Sequence, residues 1–431
     1  MMPPSSALSI LALLATAAAT AAVQEKGPPC TAGQCEAGQA VGVQTRSSSL
    51  IQREPSLIRR KHPGLSEDGA SHQAGGHWLE VSTVTVSGKQ GWSSHQFQMP
   101  FSEPPVVVLQ PTTAGSGPAS IRIREVTATG FSAVVVVPPG VTTLHDDMEA
   151  TYTAVSPGTH TLPDGKVVKA GFVDTAKRMV STKCRPAGIS GVGWHVLRFP
   201  TPFANQPALV SMLQTANNEG KDLSQGSSEP FLVVAMRRLK RIGVELALDS
   251  AETAMRGTVS QSETIGWVAI EKSTGTFTDS AGASIVYSAK VTGRSVEGHQ
   301  NGPTAVGFGI DMGTASPLVL GSQSSRYGGD GGWTRLSSAS ATQAAFVIDE
   351  DTACDGERKH TTEVVSVVSF SRATSLGGSS AGSPTPAPTP SPTAAPTSAP
   401  TTAPTPSPTA PPTTPSPTAP PTPRPTMAPT M

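Results

Sequence analysis

The sequence predicts an all-β chain of tandem antiparallel β-sandwich domains followed by a disordered Pro/Thr-rich C-terminal tail. Three observations carry this reading. One order of segments is written three times, the segments are short β-branched runs between turn residues, and helical 3.6-residue periodicity extends over no useful length. The first pass reads FSEPPVVVLQ from Phe101, then IRIREVTATGFSAVVVV, then HDDMEATYTAV. The second reads FANQPALVSMLQT from Phe203, then FLVVAMRRLKRIGVELALD, then SQSETIGWVAIE. The third reads SPLVLGSQSS, then WTRLSSASATQAAFVIDED, then KHTTEVVSVVSF. Phe131 to Ala154, Val244 to Ala269 and Phe346 to Ser369 span 23, 25 and 23 residues, a register that chance likeness between strands does not hold. The period is near one hundred residues, longer than solenoid units of about 20 to 50, and suits whole small β-domains in series.

Taken in order, residues 1–22 read as a secretory signal, an apolar run (ALSILALLATAAATAA) closed by small residues, though without the usual basic start. Residues 23–77 form a flexible leader without periodicity. Within it Arg59, Arg60 and Lys61 are either a dibasic processing site or ordinary solvated charge. The three sandwich repeats are expected over 78–164, 165–273 and 274–372. In FSAVVVV, FLVVAM, VELAL, TIGWVAI and VVSVVSF, β-branched residues stand between Gly, Pro, Ser or Asn. Alternation in VELAL puts Val244, Leu246 and Leu248 on one face, hence in the core. Residues 373–431 are a disordered stalk. Of the 41 prolines, 19 fall in the last 48 residues, alternating with Thr, Ser and Ala, which favours extended polyproline II and the composition of O-glycosylated stalks.

Charge and cysteines narrow the function. With 31 basic and 31 acidic residues the formal net charge is zero, which removes the basis for nucleic-acid or polybasic membrane binding. No transmembrane segment is expected, since the N-terminal apolar run is short of the roughly 20 residues a span needs. Four cysteines suit an oxidising compartment and allow three pairings. The favoured one joins Cys30 to Cys35 as a local clip and Cys184 to Cys354 as a staple between the second and third repeats. Together these place the protein outside the cell, secreted or in a wall or matrix.

The order F-x3-P, Val-rich strand, Arg-bearing strand, V-T-x-x-G-F turn and closing aromatic-x-Ala resembles the H-type lectin domain. The first pass carries it on Phe101, Pro105, Arg122, Val126, Thr127, Gly130, Phe131, Tyr152 and Ala154. The second carries Phe203, Pro207, Arg237, Gly243, Val244, Trp267 and Ala269; the third keeps Pro317, Arg335 and Phe346 but ends in Val367 and Ser369. The resemblance implies six-stranded sandwiches, trimeric assembly and binding of N-acetylgalactosamine or similar sugars at loops between subunits. Its sugar-contacting loop residues have no counterparts that can be placed here.

Three constellations are candidates for chemistry. The arginines Arg122 and Arg124, Arg237 and Arg238, and Arg335 recur on the strand before the turn. With Tyr152 and Trp267 closing the last strand of the first two repeats, they would give sugar rings an apolar face beside planar donors. Outward-facing strand arginines and core aromatics are the plain alternative. Asp349, Asp351, Asp355 and Glu357 offer hard oxygen ligands suited to Ca²⁺, although Ala353 interrupts the EF-hand spacing; a solvated acidic loop is the plain alternative. His145-x-x-Met148, Ser260-x-x-Glu263 and His360-x-x-Glu363 share one column, read as hydrogen bonding at the start of a strand rather than as metal ligation.

No G-x-S-x-G, H-E-x-x-H, phosphate-binding or dinucleotide pattern is present, so an enzyme is not expected. Two functions remain: a multivalent binder of cell-surface or matrix glycans and glycoproteins that gains avidity by tethering weak sites, and a structural wall or matrix protein without sugar specificity.

Overall fold

In a computed structural model the chain is described over residues 76–377, apart from 116, 142–144, 185–191, 220–228 and 256–258. The described residues belong to one compact unit. The signal, all of the leader but its last two residues, Arg59 to Lys61, the Cys30–Cys35 pair and nearly all of the stalk lie outside them.

The regular structure of the described chain is nearly all β-strand, with no α-helix and only two short 3-10 turns. A six-strand pass occurs three times. The first is β1 (Leu79–Val86), β2 (Ser93–Gln96), β3 (Val106–Leu109), β4 (Ser120–Arg124), β5 (Gly130–Val136) and β6 (Met148–Val155). After β7 (Gly158–Thr161), the second is β8 (Val167–Thr175), β10 (His195–Arg198), β11 (Ala208–Leu213), β12 (Val233–Lys240), β13 (Gly243–Asp249) and β14 (Glu263–Ile270), with β9 (Arg178–Met179) as a short parallel addition to β13. After β15 (Ser273–Thr278), the third is β16 (Ser284–Val291), β17 (Thr304–Gly307), β18 (Leu318–Gln323), β19 (Trp333–Ala339), β20 (Gln343–Asp349) and β21 (Val365–Phe370). β22 (Thr374–Leu376) follows.

Each pass makes the same two antiparallel sheets. One runs β1-β6-β3, β14 between β8 and β11, and β16-β21-β18; the other runs β2-β5-β4, β10-β13-β12 and β17-β20-β19. Apolar residues of both sheets of a pass meet in one buried cluster. In the second pass Phe199, Leu232, Val244, Leu246 and Leu248 come from one side, and Leu209, Ile265, Trp267 and Ala269 from the other. The third repeats this with Val306, Phe346 and Ile348 against Val319, Val365 and Val367.

The passes are joined as well as consecutive. The cluster of the first pass also takes in Val210, Met212 and Val268 of the second and Tyr287, Leu320 and Val368 of the third. The middle strands β6, β14 and β21 are therefore buried on both faces, with polar residues such as Thr153, Thr264, Ser366 and Ser369 enclosed among the apolar ones rather than alternating outward. Hydrogen bonds run round the same junction. Gln214 of the second pass pairs with both backbone groups of Val107 in the first, Gln110 of the first accepts from the Gly321 N–H of the third, and Ser322 of the third accepts from the Ser211 N–H of the second. Chain order closes the circle. β7 and β15 each precede and pair with the first strand of the next pass, and β22 takes that place on β1, with Leu79 opposite Leu376 and Val81 opposite Thr374.

Candidate functional site

The ladders set the true columns of the recurring arginines. Arg122, Ala235 and Arg335 lie opposite Val134, Ala247 and Val347, while Arg124 and Arg237 lie opposite Ser132 and Glu245. Arg237 therefore matches Arg124, not Arg122. In the third pass the residue matching Phe131 and Val244 is Ala344, because Val306 pairs with Ala344 as His95 does with Phe131.

Arg122 is a joint rather than a ligand site. It is 1% exposed, and its Nε lies 2.6 Å from Glu219 while its Nη2 donates to the Thr215 carbonyl, both on the second pass. Arg335 does the same from the third pass to the first, donating to the carbonyls of Thr112, Ala114 and Gly117 and pairing with Asp349 at 2.6 Å. Arg326 holds Asp249 of the second pass at 2.7 Å. Buried charges need such partners, since a lone one is strongly destabilising, although Arg122 Nη1 and Glu219 Oε2 are left without one.

Tyr152 and Trp267 also correct the expectation. Each is 2% exposed, so neither offers a face to a sugar. Tyr152 stands among Phe97 and Phe131 and donates its hydroxyl to buried Glu80; burial first, then that carboxylate, raise its pKa. Trp267 packs on Phe199, 5.6 Å between centroids. Strand alternation turns both side chains inward.

The partly exposed aromatic beside each outward arginine is a different residue. Trp92, just before β2, lies under the Arg124 guanidinium at 4.3 Å, and Trp194, just before β10, lies under Arg237 at 4.3 Å. A W-x4-F-x3-F spacing, Trp92-Phe97-Phe101 and Trp194-Phe199-Phe203, was the available signal. Its phenylalanines are core and its tryptophans lie at the rim. A carboxylate steadies each arginine, Glu125 at 3.5 Å from Arg124 Nε and Glu245 at 2.6 Å from Arg237 Nε, and Arg238 takes the other Glu245 oxygen at 2.9 Å. Among the described residues no hydrogen bond engages the Nη groups of Arg124 or Arg237. The third pass has its stack elsewhere, Arg294 over exposed Tyr327 at 4.2 Å.

Comparison of the chain with protein-family models, curated proteins and solved structures finds no match.

The acidic stretch of the third pass does not assemble a calcium site from the four expected ligands. Asp349 is fully buried between Arg335 and Arg358, 2.6 and 2.7 Å away, and has no oxygen to spare. Asp351 accepts from the backbone N–H groups of Glu252 and Ala353; burial pushes its pKa up to about 7. Asp355 is exposed and Glu357 half-buried. The carboxylates that do converge are Glu252, Asp330 and Asp355, with oxygens within 4.8 Å of one another. Lys183 answers their charge, its Nζ 3.1 Å from Asp330 and 3.5 Å from Asp355. Beside them the Cys184–Cys354 disulfide joins the second and third passes, Cα–Cα 6.1 Å.

The shared His/Glu column performs hydrogen bonding at the start of a strand. Glu263 accepts from the Thr215 hydroxyl and from the N–H groups of Asn217 and Asn218, and Glu363 accepts likewise from Ser325, Tyr327 and Gly328. In the first pass Met148 takes the place, its sulfur accepting from Thr112 N–H at 3.2 Å. His360 bridges Glu350 at 2.8 Å and Glu363 at 3.2 Å. Burial opposes its charge, but the two carboxylates outweigh burial and raise its pKa to about 9. Gly328 is required beneath this ring, because a Cβ there would lie 2.1 Å from His360 Cε1.

Proposed function

We propose that the protein is a secreted, multivalent glycan-binding protein whose sites are the rims carrying Arg124 on Trp92 and Arg237 on Trp194. The observation that carries this reading is the recurrence of one partly exposed arginine–indole pair at the same register position of two passes. The indole fixes the guanidinium plane, a contact worth about 0.5 to 1 kcal/mol at exposed sites. A planar fork held this way presents parallel N–H donors to vicinal hydroxyls or to a carboxylate, and the ring edge offers apolar surface to sugar C–H groups. Two weak sites on one compact unit gain avidity on a surface that displays many copies of the ligand. The Pro/Thr-rich stalk would hold that body away from a wall or membrane, and the resemblance to H-type lectins agrees in kind.

The structural reading, sandwiches as spacers in a matrix, draws support from Arg122, Arg326 and Arg335, all spent on joining passes. A glycan array probed with the full chain separates the two. The expected result is a restricted set of bound glycans, weakened in Trp92→Ala or Trp194→Ala and lost in the double variant. No bound glycan, or equal binding by the double variant, overturns the proposal.

A further inference from the structure

We propose a second, anion-selective saccharide site in the groove between the second and third passes, built on Lys272 and Lys290. The groove has a volume of about 950 Å³, the size of an oligosaccharide segment rather than of a single ion. Asn205 and Gln206, from the loop before β11, line one side; Lys272, Thr274, Lys290 and Thr292 line the other. The lining is rich in hydrogen-bonding groups and contains no carboxylate, in a chain whose acids and bases are equal in number.

Register supplies the second observation. Ser273, the first residue of β15, pairs with Ala289, so Lys272, just before the strand, and Lys290 follow the last pair of the ladder at the same end of the hairpin. Like charges brought to one end of a hairpin repel. No described carboxylate pairs with either lysine: Lys290 Nζ donates to the Gly307 carbonyl, and Lys272 is exposed without a hydrogen bond or ion pair. Two neighbouring cations lining a groove that holds no carboxylate, with Val291 and Phe308 as apolar surface beside them, fit a ligand bearing carboxylate or sulfate groups along a sugar backbone. The choice of saccharide over other polyanions rests on the glycan-binding reading; the anion selectivity rests on the groove alone.

The test is calorimetric titration of the full chain at low salt with a uronate oligosaccharide and a sulfated oligosaccharide, each beside its neutral parent. Binding of either acidic ligand in preference to its parent is expected, and which of the two binds identifies the anionic group. Lys272→Gln should weaken that binding about tenfold, the scale of one charge-assisted contact, with a thermal midpoint unchanged or raised. Because Lys272 is exposed and unpaired, this variant folds whatever Lys290→Gln does. The Trp92→Ala, Trp194→Ala protein should keep acidic-ligand binding. Unaltered affinity in Lys272→Gln, or failure of both acidic ligands to bind, overturns the site while leaving the indole sites to be judged separately.

Discussion

Trp267 and Trp194 belong to the same pass and differ in what surrounds them. Trp267→Ala removes a ring enclosed by Phe199 and the second core, so a loss of about 3 to 5 kcal/mol in urea unfolding is expected. Trp194→Ala removes a rim residue and should cost well under half of that while abolishing its share of glycan binding. Gly171 marks the tight side of the same ring: a Cβ would come within 2.9 Å of it, so Gly171→Ala should cost about 1 to 3 kcal/mol by overpacking. Proton linkage is also a residue-scale property. Burial, reinforced by acidic neighbours, raises Glu252 from 4.5 to about 7, and burial raises Asp351 from 3.8 to about 7. His360 rises from 6.5 to about 9. In all three the folded state binds the proton more tightly, so their contribution is full below the unfolded values and is lost as pH rises through the folded ones. Urea midpoints should fall from acid pH through about 7 and again toward about 9, and Glu252→Gln, which imitates the protonated acid, should flatten the first part. Midpoints that climb over this range would contradict the assignment.

At the scale of elements, β22 is the piece with most leverage for its length. Three residues give β1 its outer neighbour, and Leu376 enters the largest core. A chain ending at residue 373 should lose about 2 to 4 kcal/mol relative to one ending at Gly377, with faster amide exchange at Leu79 to Val81. Such exchange would show whether closure of the circle, rather than the stalk beyond it, carries the effect. The elements also show what was legible. TIGWVAI and VVSVVSF announced themselves as strands because burial on both faces leaves mostly apolar residues, with only small polar ones such as Thr264, Ser366 and Ser369 among them. The spans SSHQ of β2 and HVLR of β10 did not, being short edge strands with alternating exposure and few β-branched residues, and with them the rim tryptophans went unnoticed.

For the whole molecule, the disulfide and the polar joints act on the same coordinate, the cohesion of the passes. Cys184 and Cys354 are 170 residues apart, and in the chain-entropy account closing a loop of that length stabilises by about 5 kcal/mol. Reduction should therefore lower the urea midpoint strongly while leaving the strand signal of the native state in circular dichroism, since Arg326–Asp249 and the hydrogen bonds round the central junction persist. Loss of strand signal on reduction alone would show that the thiol link, not the packed junction, holds the passes. No helix among the described residues is long and apolar enough to cross a membrane.

The sequence by itself determined the class of fold, the threefold repetition and the hydrogen-bonding role of Glu263 and Glu363, because each is written in local periodicity, spacing or recurrence; it left three cysteine pairings open, and the structure joins Cys184 to Cys354. It also marked the arginines as recurrent. Only the tertiary structure decided which of them face water. Arg122 and Arg335 share a column and are buried as joints, whereas Arg124, two residues beyond Arg122, and Arg237 in its column lie on indoles at the rim. The physical reason is that a strand has two faces and the sequence specifies their alternation, while what covers each face depends on residues remote in the chain, Glu219 for Arg122 and Thr112 for Arg335.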